Sequence, residues 1–236
     1  MAKNKTMVAG ATSIGLVREN QEDCAIVRGL PFGGFFLGMS DGMGGCPAGE
    51  VASDIAIRQT TAAILGETGS IRNRLAKGVQ KAHSECKLHT LVYPQDRGMG
   101  ATLDAAVIRR NRLYLAHTGD SRVYLHRDGQ LTQLTRDHSV TGSYVDEDGR
   151  TVTREYLEHC IGLGQLVSDY SEHELKSGDR VILCSDGLFG PVTDKRIETL
   201  LTVSDKSVAG VAEALIEAAL RGGGWDNVTV IVAEVV

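Results

Sequence analysis

Three apolar segments of this 236-residue chain end in the same way, with a small residue followed by an aspartate. These aspartates are Asp41, Asp120 and Asp186, and in a fourth segment Asp226 comes just before the apolar run 228–232. An aspartate that follows a strand lies at the edge of the sheet where the strand ends. Four such aspartates from distant parts of the chain can therefore lie close together. Short oxygen ligands gathered in this way suit a hard divalent cation such as Mg²⁺ or Mn²⁺.

An aspartate after a strand also has a simpler interpretation, because Asp-Gly is the commonest two-residue hairpin turn. The pair at Asp128 lies between two alternating runs and is predicted to be such a turn, and the pair at Asp148 is predicted to lie in a polar loop. Asp41 and Asp186 differ, since each follows a nearly continuous apolar run typical of a fully buried strand. No returning strand follows either residue, and a functional role is therefore favoured for both.

Composition narrows the class of protein. The net charge of −5 gives no reason to expect a broad basic surface, which argues against nucleic acid as a partner. No apolar run is long enough to span a bilayer, and the first ten residues lack the apolar core of a signal peptide. The five cysteines are odd in number and contain no C-x-x-C pair, which argues against a disulfide scaffold or a zinc site. We expect a cytoplasmic monomer without a membrane partner.

The pattern along the chain predicts a single α+β domain over residues 1–236. Strands are expected at 7–13, 24–28, 34–40, 180–184 and 227–235, with a meander of strands over 102–135. Helices are expected at 48–65, 71–89 and 208–220, the last with Ser207 as its N-cap. Residues 139–168 are polar and rich in glycine, and are predicted to form a surface loop or lid with one short helix. The arrangement indicates two packed sheets whose outer faces are covered by helices.

The aspartates predict a specific chemistry. Asp41, Asp186 and Asp226 would hold one cation, while Asp41 and the backbone carbonyl of Gly42 would reach a second. Two cations about 3.5–4 Å apart can share a water and lower its pKa. They would also neutralise the oxygens of a bound phosphate. The expected reaction is hydrolysis in one in-line step, without a covalent phospho-enzyme.

A dense polar segment, residues 18–23, supplies groups that this reaction still needs. Arg18 can clamp phosphate oxygens through its planar guanidinium, for which lysine is no geometric substitute. Glu22 and Asp23 can hold metal-bound waters. The alternative is a solvated charged loop without a role in the site, and the segment gains meaning only because the four aspartates are present.

Seven segments of this chain occur in the order found in one known family. They are residues 15–23, 40–45 with 48–53, 98–102, 119–122, 134–139, 184–188 and 224–229. Together they span nearly the whole chain, and in these residues it resembles the metal-dependent protein serine/threonine phosphatases of the PP2C (PPM) family, specifically the compact bacterial type. The resemblance implies a four-layer αββα sandwich with a binuclear site, for Mg²⁺ or Mn²⁺, at one end of the sheets.

The resemblance also implies roles for the metal-site residues. Asp41, Asp186 and Asp226 match the family's ligands of one metal. Asp41 and the carbonyl of Gly42 match the ligands of the other. Asp120 matches the aspartate that, with Asp186, holds a third and weaker metal in bacterial members.

Other positions match the surroundings of those metals. Arg18 matches the phosphate-binding arginine, and Glu22 and Asp23 match residues that lie behind metal-bound waters. Met43 stands where eukaryotic members carry a histidine proposed as general acid, although methionine is usual in bacterial relatives. The leaving group must then take its proton from a metal-bound water or from another group. His138 is one candidate, and a purely structural histidine is the alternative.

The flap, about residues 140–163, is shorter than in typical bacterial relatives and lacks their helical pattern, which leaves substrate selection open. The expected substrates are phosphorylated proteins, those of a cognate Ser/Thr kinase. One alternative is a catalytically silent relative that binds phosphorylated partners, but such relatives usually lose a metal aspartate and all four are present here. Another is a phosphatase dedicated to anti-sigma-factor partners, which usually carries extra regulatory domains for which this chain has no room.

Overall fold

The computed structural model describes residues 5–145, 150–202 and 207–236, so the pair predicted as loop at Asp148 lies outside the described residues. The strands are β1 (Thr6–Ser13), β2 (Cys24–Gly29), β3 (Phe35–Ser40), β4 (Leu103–Arg109), β5 (Arg112–Thr118), β6 (Arg122–Arg127), β7 (Gln130–Gln133), β8 (Ser139–Val145), β9 (Thr151–Leu157), β10 (Asp169–Glu174), β11 (Arg180–Cys184) and β12 (Val228–Val235). The helices are α1 (Gly49–Gly66), α2 (Ile71–Val92), α3 (Asp186–Phe189), α4 (Asp194–Thr202) and α5 (Val208–Arg221). No helix within the described ranges is long and apolar enough to cross a membrane.

Two antiparallel five-stranded sheets form the centre of the molecule. The first sheet has the order β1-β12-β11-β6-β7 and the second has the order β10-β5-β4-β3-β2. The last strand, β12, lies in the interior of the first sheet, as its continuous apolar sequence predicts. The single meander expected over residues 102–135 is divided, however, because β4 and β5 join the second sheet while β6 and β7 join the first. The chain changes sheet at the turn 119–121.

Three apolar cores separate four layers. Helices α1 and α2 cover the second sheet, where Ile55 and Val79 pack with Phe36. Helix α5 covers the first sheet, and a third core fills the space between the sheets. Residues of β11 alternate between these cores, with Ile182 facing the helices and Leu183 facing the other sheet. Both faces of the inner strands are therefore buried, which explains their uninterrupted apolar runs and confirms the αββα sandwich.

The local predictions have mixed outcomes. Asp128 adopts a left-handed conformation (φ 52°) in the two-residue turn between β6 and β7, as predicted, and the Ser207 hydroxyl caps α5 by accepting the Gly210 N–H at 3.2 Å. The short helix expected in the lid is wrong for the described residues, where β8 and β9 pair as a separate two-stranded hairpin. Strand β10 and helix α4 were not predicted.

The strand registers bring the loops between these elements to one end of the molecule. In the first sheet, Cys184 at the end of β11 pairs with Arg122 at the start of β6 and with Val230 near the start of β12. In the second sheet, Leu103 at the start of β4 pairs with Thr118 at the end of β5, and β2 begins opposite the end of β3. The loops that follow β1, β3, β5 and β11, and those that precede β2, β4 and β12, all lie at this end.

Candidate active site at one end of the sheets

Five aspartates from five loops lie at this end of the sandwich. Asp23 precedes β2, Asp41 follows β3, Asp120 follows β5, Asp186 is the first residue of α3 after β11, and Asp226 precedes β12. All five are partly buried. The structure thus brings together the four aspartates singled out by the sequence, together with one member of the polar segment 18–23.

The charges of these aspartates act on one another. Burial is the largest cause of a pKa for Asp41 that lies well above its ordinary value, and the neighbouring aspartates add to it. Burial, followed by the charges of Asp226 and Asp120, raises the pKa of Asp186 from 3.8 to about 7. Burial likewise raises the pKa of Asp23. Crowded carboxylates of this kind resist ionisation until a positive charge is placed among them.

Asp41 is held in position by a hydrogen-bonded junction with the start of β4. The Asp41 N–H donates to the Thr102 hydroxyl at 2.9 Å, and the Thr102 N–H donates to the Asp41 carbonyl at 2.8 Å. The Ser40 hydroxyl donates to the Thr102 carbonyl at 2.5 Å, and the Thr102 and Ser121 hydroxyls lie 2.8 Å apart. This junction ties the loop of Asp41 to the loop of Asp120. Thr102 and Ser121 lie in segments that resemble the family, but no local pattern indicated these contacts, because each residue comes from a different strand end.

Gly42 lies where no other residue fits. A Cβ at this position would come within 2.5 Å of the Gly49 carbonyl and 2.9 Å of the Glu22 carbonyl oxygen. The Gly42 N–H donates to that same Glu22 oxygen at 3.1 Å. The chain after Asp41 therefore passes directly between the start of α1 and the segment 18–23.

Arg18 contacts one of the five aspartates. Its Nη2 donates to Asp226 Oδ2 at 2.7 Å, and its Nη1 lies 3.8 Å from Glu22 Oε2. Burial opposes the charge of Arg18, but the hydrogen bond to Asp226 and the nearby carboxylate charges together outweigh it, so the pKa of Arg18 is raised. The guanidinium also lies against the backbone of Gly44 in the loop after Asp41. A permanent positive charge thus borders the carboxylates.

The segment 18–23 is fixed by Asn227, a buried residue to which sequence reasoning assigned no role. Its Oδ1 accepts the Glu22 N–H at 2.8 Å, and its Nδ2 donates to the carbonyls of Ile14 and Asn20, both at 2.9 Å. The Asn227 side chain thus makes three hydrogen bonds to backbone groups more than 200 positions away in sequence, and these hold the segment in place. The segment is part of the site's framework and not a freely solvated loop.

The donors fit a hard divalent cation. Every side-chain donor of the aspartate cluster is an oxygen, and Asp23 Oδ1 is buried without a hydrogen-bond partner among the described residues. The other oxygen of Asp23 accepts the Ser185 hydroxyl at 2.9 Å. In the described ranges no three His, Cys, Asp or Glu side chains are already arranged as ligands around one point. A cation would offset the repulsion that now raises the pKa of Asp41 and Asp186.

His138, the candidate general acid, has both ring nitrogens engaged in holding loops together. Its Nδ1 accepts the Gly119 N–H at 3.3 Å, and its Nε2 faces Asp169 Oδ2 at 3.2 Å. Burial is the largest cause of its lowered pKa. The backbone of His138 also bonds to Gly119 and to Glu158 at the end of the β8–β9 hairpin. These contacts indicate a structural histidine.

Comparison with known proteins places this geometry in a family. The family model described as protein phosphatase 2C matches residues 17–220. Serine/threonine protein phosphatase PstP of Mycobacterium tuberculosis is 40% identical over 97% of the chain, which spans less than half (45%) of that relative's length. Serine/threonine phosphatase stp of Listeria welshimeri is 33% identical over 94% of the chain and 93% of its own length. The solved catalytic domain of PstP, in complex with two manganese ions, has a TM-score of 0.82 at 37% identity and covers 98% of both chains. The chain belongs to the protein phosphatase 2C family.

Proposed function

We propose that this chain is a metal-dependent phosphatase that hydrolyses phosphoserine and phosphothreonine in proteins. The observation that carries the proposal is the cluster of five aspartates beside Arg18, in which burial and the neighbouring charges raise the pKa of Asp41 and Asp186. Family membership and the two manganese ions of the related PstP structure support it. The reaction is hydrolysis of a phosphate monoester by water.

The proposed cofactor is Mg²⁺ or Mn²⁺, as two ions with a weaker third. Asp41, Asp186 and Asp226 would hold one ion, Asp41 and the Gly42 carbonyl the second, and Asp120 with Asp186 the third. Bound ions of this kind supply a water of lowered pKa and neutralise phosphate charge. The junctions at Thr102 and Asn227 hold the loops that carry these aspartates and the segment 18–23.

The segment 18–23 would bind the phosphate of the substrate and orient the waters around the ions. Arg18 would exchange its bond to Asp226 for the phosphate of the substrate, since a guanidinium binds phosphate oxygens with two parallel hydrogen bonds. Glu22 and Asp23 would hold waters around the ions, and the unpartnered Asp23 Oδ1 is available to accept one. Ser185 keeps the other Asp23 oxygen in position.

We propose that the substrates are proteins phosphorylated by a cognate Ser/Thr kinase, in keeping with the relatives described as serine/threonine protein phosphatases. The proposed location is the cytoplasm. Its support is that all five cysteines are free thiols, which suits a reducing compartment. A monomer is the expected state, and light scattering during size-exclusion chromatography measures it.

The test is hydrolysis of p-nitrophenyl phosphate and of phosphothreonine peptides, with Mn²⁺ and with EDTA. We expect turnover that requires the metal, and loss of at least a hundredfold in kcat for Asp41→Asn. Asp128→Asn, the same change at an exposed hairpin turn, is the matched control and should retain full activity. Turnover in EDTA would contradict the metal mechanism. Peptide binding without any turnover would favour the catalytically silent alternative, and preference for phosphotyrosine peptides would contradict the substrate class.

A further inference from the structure

Three exposed apolar side chains lie beside the Arg18–Asp226 pair. Leu16 is 69% exposed, Val17 is 62% exposed and Trp225 is 66% exposed. Each stands one or two positions from Arg18 or Asp226, whose side chains are joined at 2.7 Å. Single exposed apolar residues are common, but a group of three beside a charged site indicates a contact surface. We name Leu16, Val17 and Trp225 the apolar platform.

The two loops that carry the platform are fastened to each other. The Leu16 N–H donates to the Gly224 carbonyl at 2.7 Å, and the buried Asn227 amide donates to the Ile14 carbonyl at 2.9 Å. The Leu16 side chain lies against Gly224, where a Cβ would be 2.9 Å from Leu16 Cγ. The platform therefore belongs to one fixed surface, even though its residues are separated by more than 200 positions of sequence.

The Trp225 ring is held in place in spite of its exposure. The ring lies over Gly223, whose φ of +130° is a backbone conformation that glycine adopts readily and other residues rarely do. A Cβ at this position would come within 2.4 Å of the ring atom Cε2. Part of the ring is packed on this backbone and the rest faces solvent. An aromatic side chain held in this way loses little conformational entropy when another molecule covers it.

We propose that the apolar platform binds an apolar side chain of the substrate protein, next to the phosphorylated serine or threonine. This rests on the proposed function, in which Arg18 binds the phosphate. Successive Cα atoms of a chain are about 3.8 Å apart, so the residues that flank a phosphoresidue at Arg18 lie within one or two residue lengths of it, as the platform residues do. The platform itself carries no charge, so a charged flanking residue would lose its hydration there without gaining a partner. Leucine, methionine or an aromatic residue is the matching occupant.

Phosphothreonine peptides that differ only in the flanking residues test this proposal. With leucine flanks we expect a kcat/KM about tenfold above that with glycine flanks, equal to ~1.4 kcal/mol, and aspartate flanks should be poorer still. In Trp225→Ala the leucine-to-glycine ratio should fall to within about twofold of unity. The ratio is taken within one enzyme, so a loss of folded protein cancels. Leu91→Ala, a change at a 71% exposed residue of α2, is the control and should keep the wild-type ratio.

The outcomes separate the two proposals. If wild-type protein hydrolyses all peptides at the same rate, the platform proposal is wrong and the proposed function stands. If it hydrolyses none of them, the proposed function is wrong. If the wild-type chain is a dimer that Trp225→Ala converts to a monomer, the platform binds a second copy and not the substrate, which overturns the inference.

Trp225 also gives a direct optical test, because it is the only tryptophan in the chain. Non-hydrolysable phosphonate peptides with leucine or glycine flanks would be titrated against Mn²⁺-loaded protein, with calorimetry confirming saturation. We expect the leucine peptide to move the tryptophan emission to shorter wavelength by several nanometres and the glycine peptide to leave it unmoved. An unchanged emission at saturation with the leucine peptide would overturn the proposal.

Discussion

The crowding of carboxylates leads to an unusual prediction: removing one of them should increase the thermal stability of the metal-free protein. Burial and neighbouring charges raise the pKa of Asp186 from 3.8 to about 7. A rise of about three pKa units corresponds to ~4 kcal/mol at pH 8, at 1.36 kcal/mol each. Because the neighbouring carboxylates share this repulsion, we assign about half of it, ~2 kcal/mol, to Asp186 alone. Asp186→Asn preserves the size of the side chain and should raise the Tm of metal-free protein by about 4–8 °C.

The sign of the pH dependence follows from the same shift. A carboxyl whose pKa is raised by folding binds its proton more tightly in the folded state, so it lowers stability as the pH rises from about 4 to about 7. The advantage of Asp186→Asn should therefore be full at pH 8 and absent near pH 4. Asp128→Asn is the control, because that side chain is exposed in a turn.

The assay is thermal unfolding in EDTA and in saturating Mn²⁺. With Mn²⁺ the order should reverse, since wild-type protein gains stability from binding in proportion to the logarithm of metal concentration and the variant lacks a proposed ligand. A metal-free Tm of Asp186→Asn below that of wild type at pH 8 would refute the reasoning. A difference that is the same at pH 4 and pH 8 would do so as well.

Three further predictions concern residues around the cluster. Arg18→Ala should raise the KM for p-nitrophenyl phosphate about tenfold with little change in kcat, because the arginine positions phosphate; steady-state kinetics that show a lower kcat at constant KM would contradict it. Thr102→Val should cost about 1–3 kcal/mol in urea unfolding, since it leaves the Asp41 N–H without its acceptor; an unchanged unfolding free energy would show that the junction is dispensable. Although burial opposes the charge of His117, its contact with Asp104 raises its pKa, while burial raises that of Asp104, so both bind protons more tightly when folded. The stability of Mn²⁺-loaded protein should therefore fall as the pH rises, above about 4 through Asp104 and above about 6.5 through His117. Asp104→Asn should flatten that pH dependence in urea unfolding, and an equal slope in both proteins would contradict it.

The features that could be predicted from sequence are those that depend on residues close together in the chain. Continuous apolar runs such as β11 identified buried strands, because both faces of an inner strand need apolar residues. The rhythm of apolar residues and the serine cap located α5. The recurrence of aspartates at strand ends selected the residues that the structure gathers at one end, although their roles as ligands stay a proposal.

The features that escaped prediction depend on contacts distant in sequence. Half-buried strands have the same sequence pattern in either sheet. The local sequence therefore does not show that β5 and β6 belong to different sheets and separate at the turn 119–121. Asn227 and Thr102 are common polar residues whose importance lies only in their partners, Glu22 and Asp41. The polar residues of β8 and β9 lack the strand-like apolar period. Among the described residues these two strands form a sheet of their own, and none of their described side chains belongs to the three cores.

One consequence follows from the way the beginning and end of the described chain meet. Arg18 reaches Asp226 across 208 positions and Glu22 reaches Asn227 across 205. During synthesis on a ribosome, Asp226 and Asn227 emerge long after Arg18 and Glu22, so the segment 18–23 cannot be held in place until β12 has emerged and paired with β1. Closing so long a loop is entropically costly and slows folding. The segment 18–23 of a partly synthesised chain therefore lacks the two contacts that hold it in the folded protein.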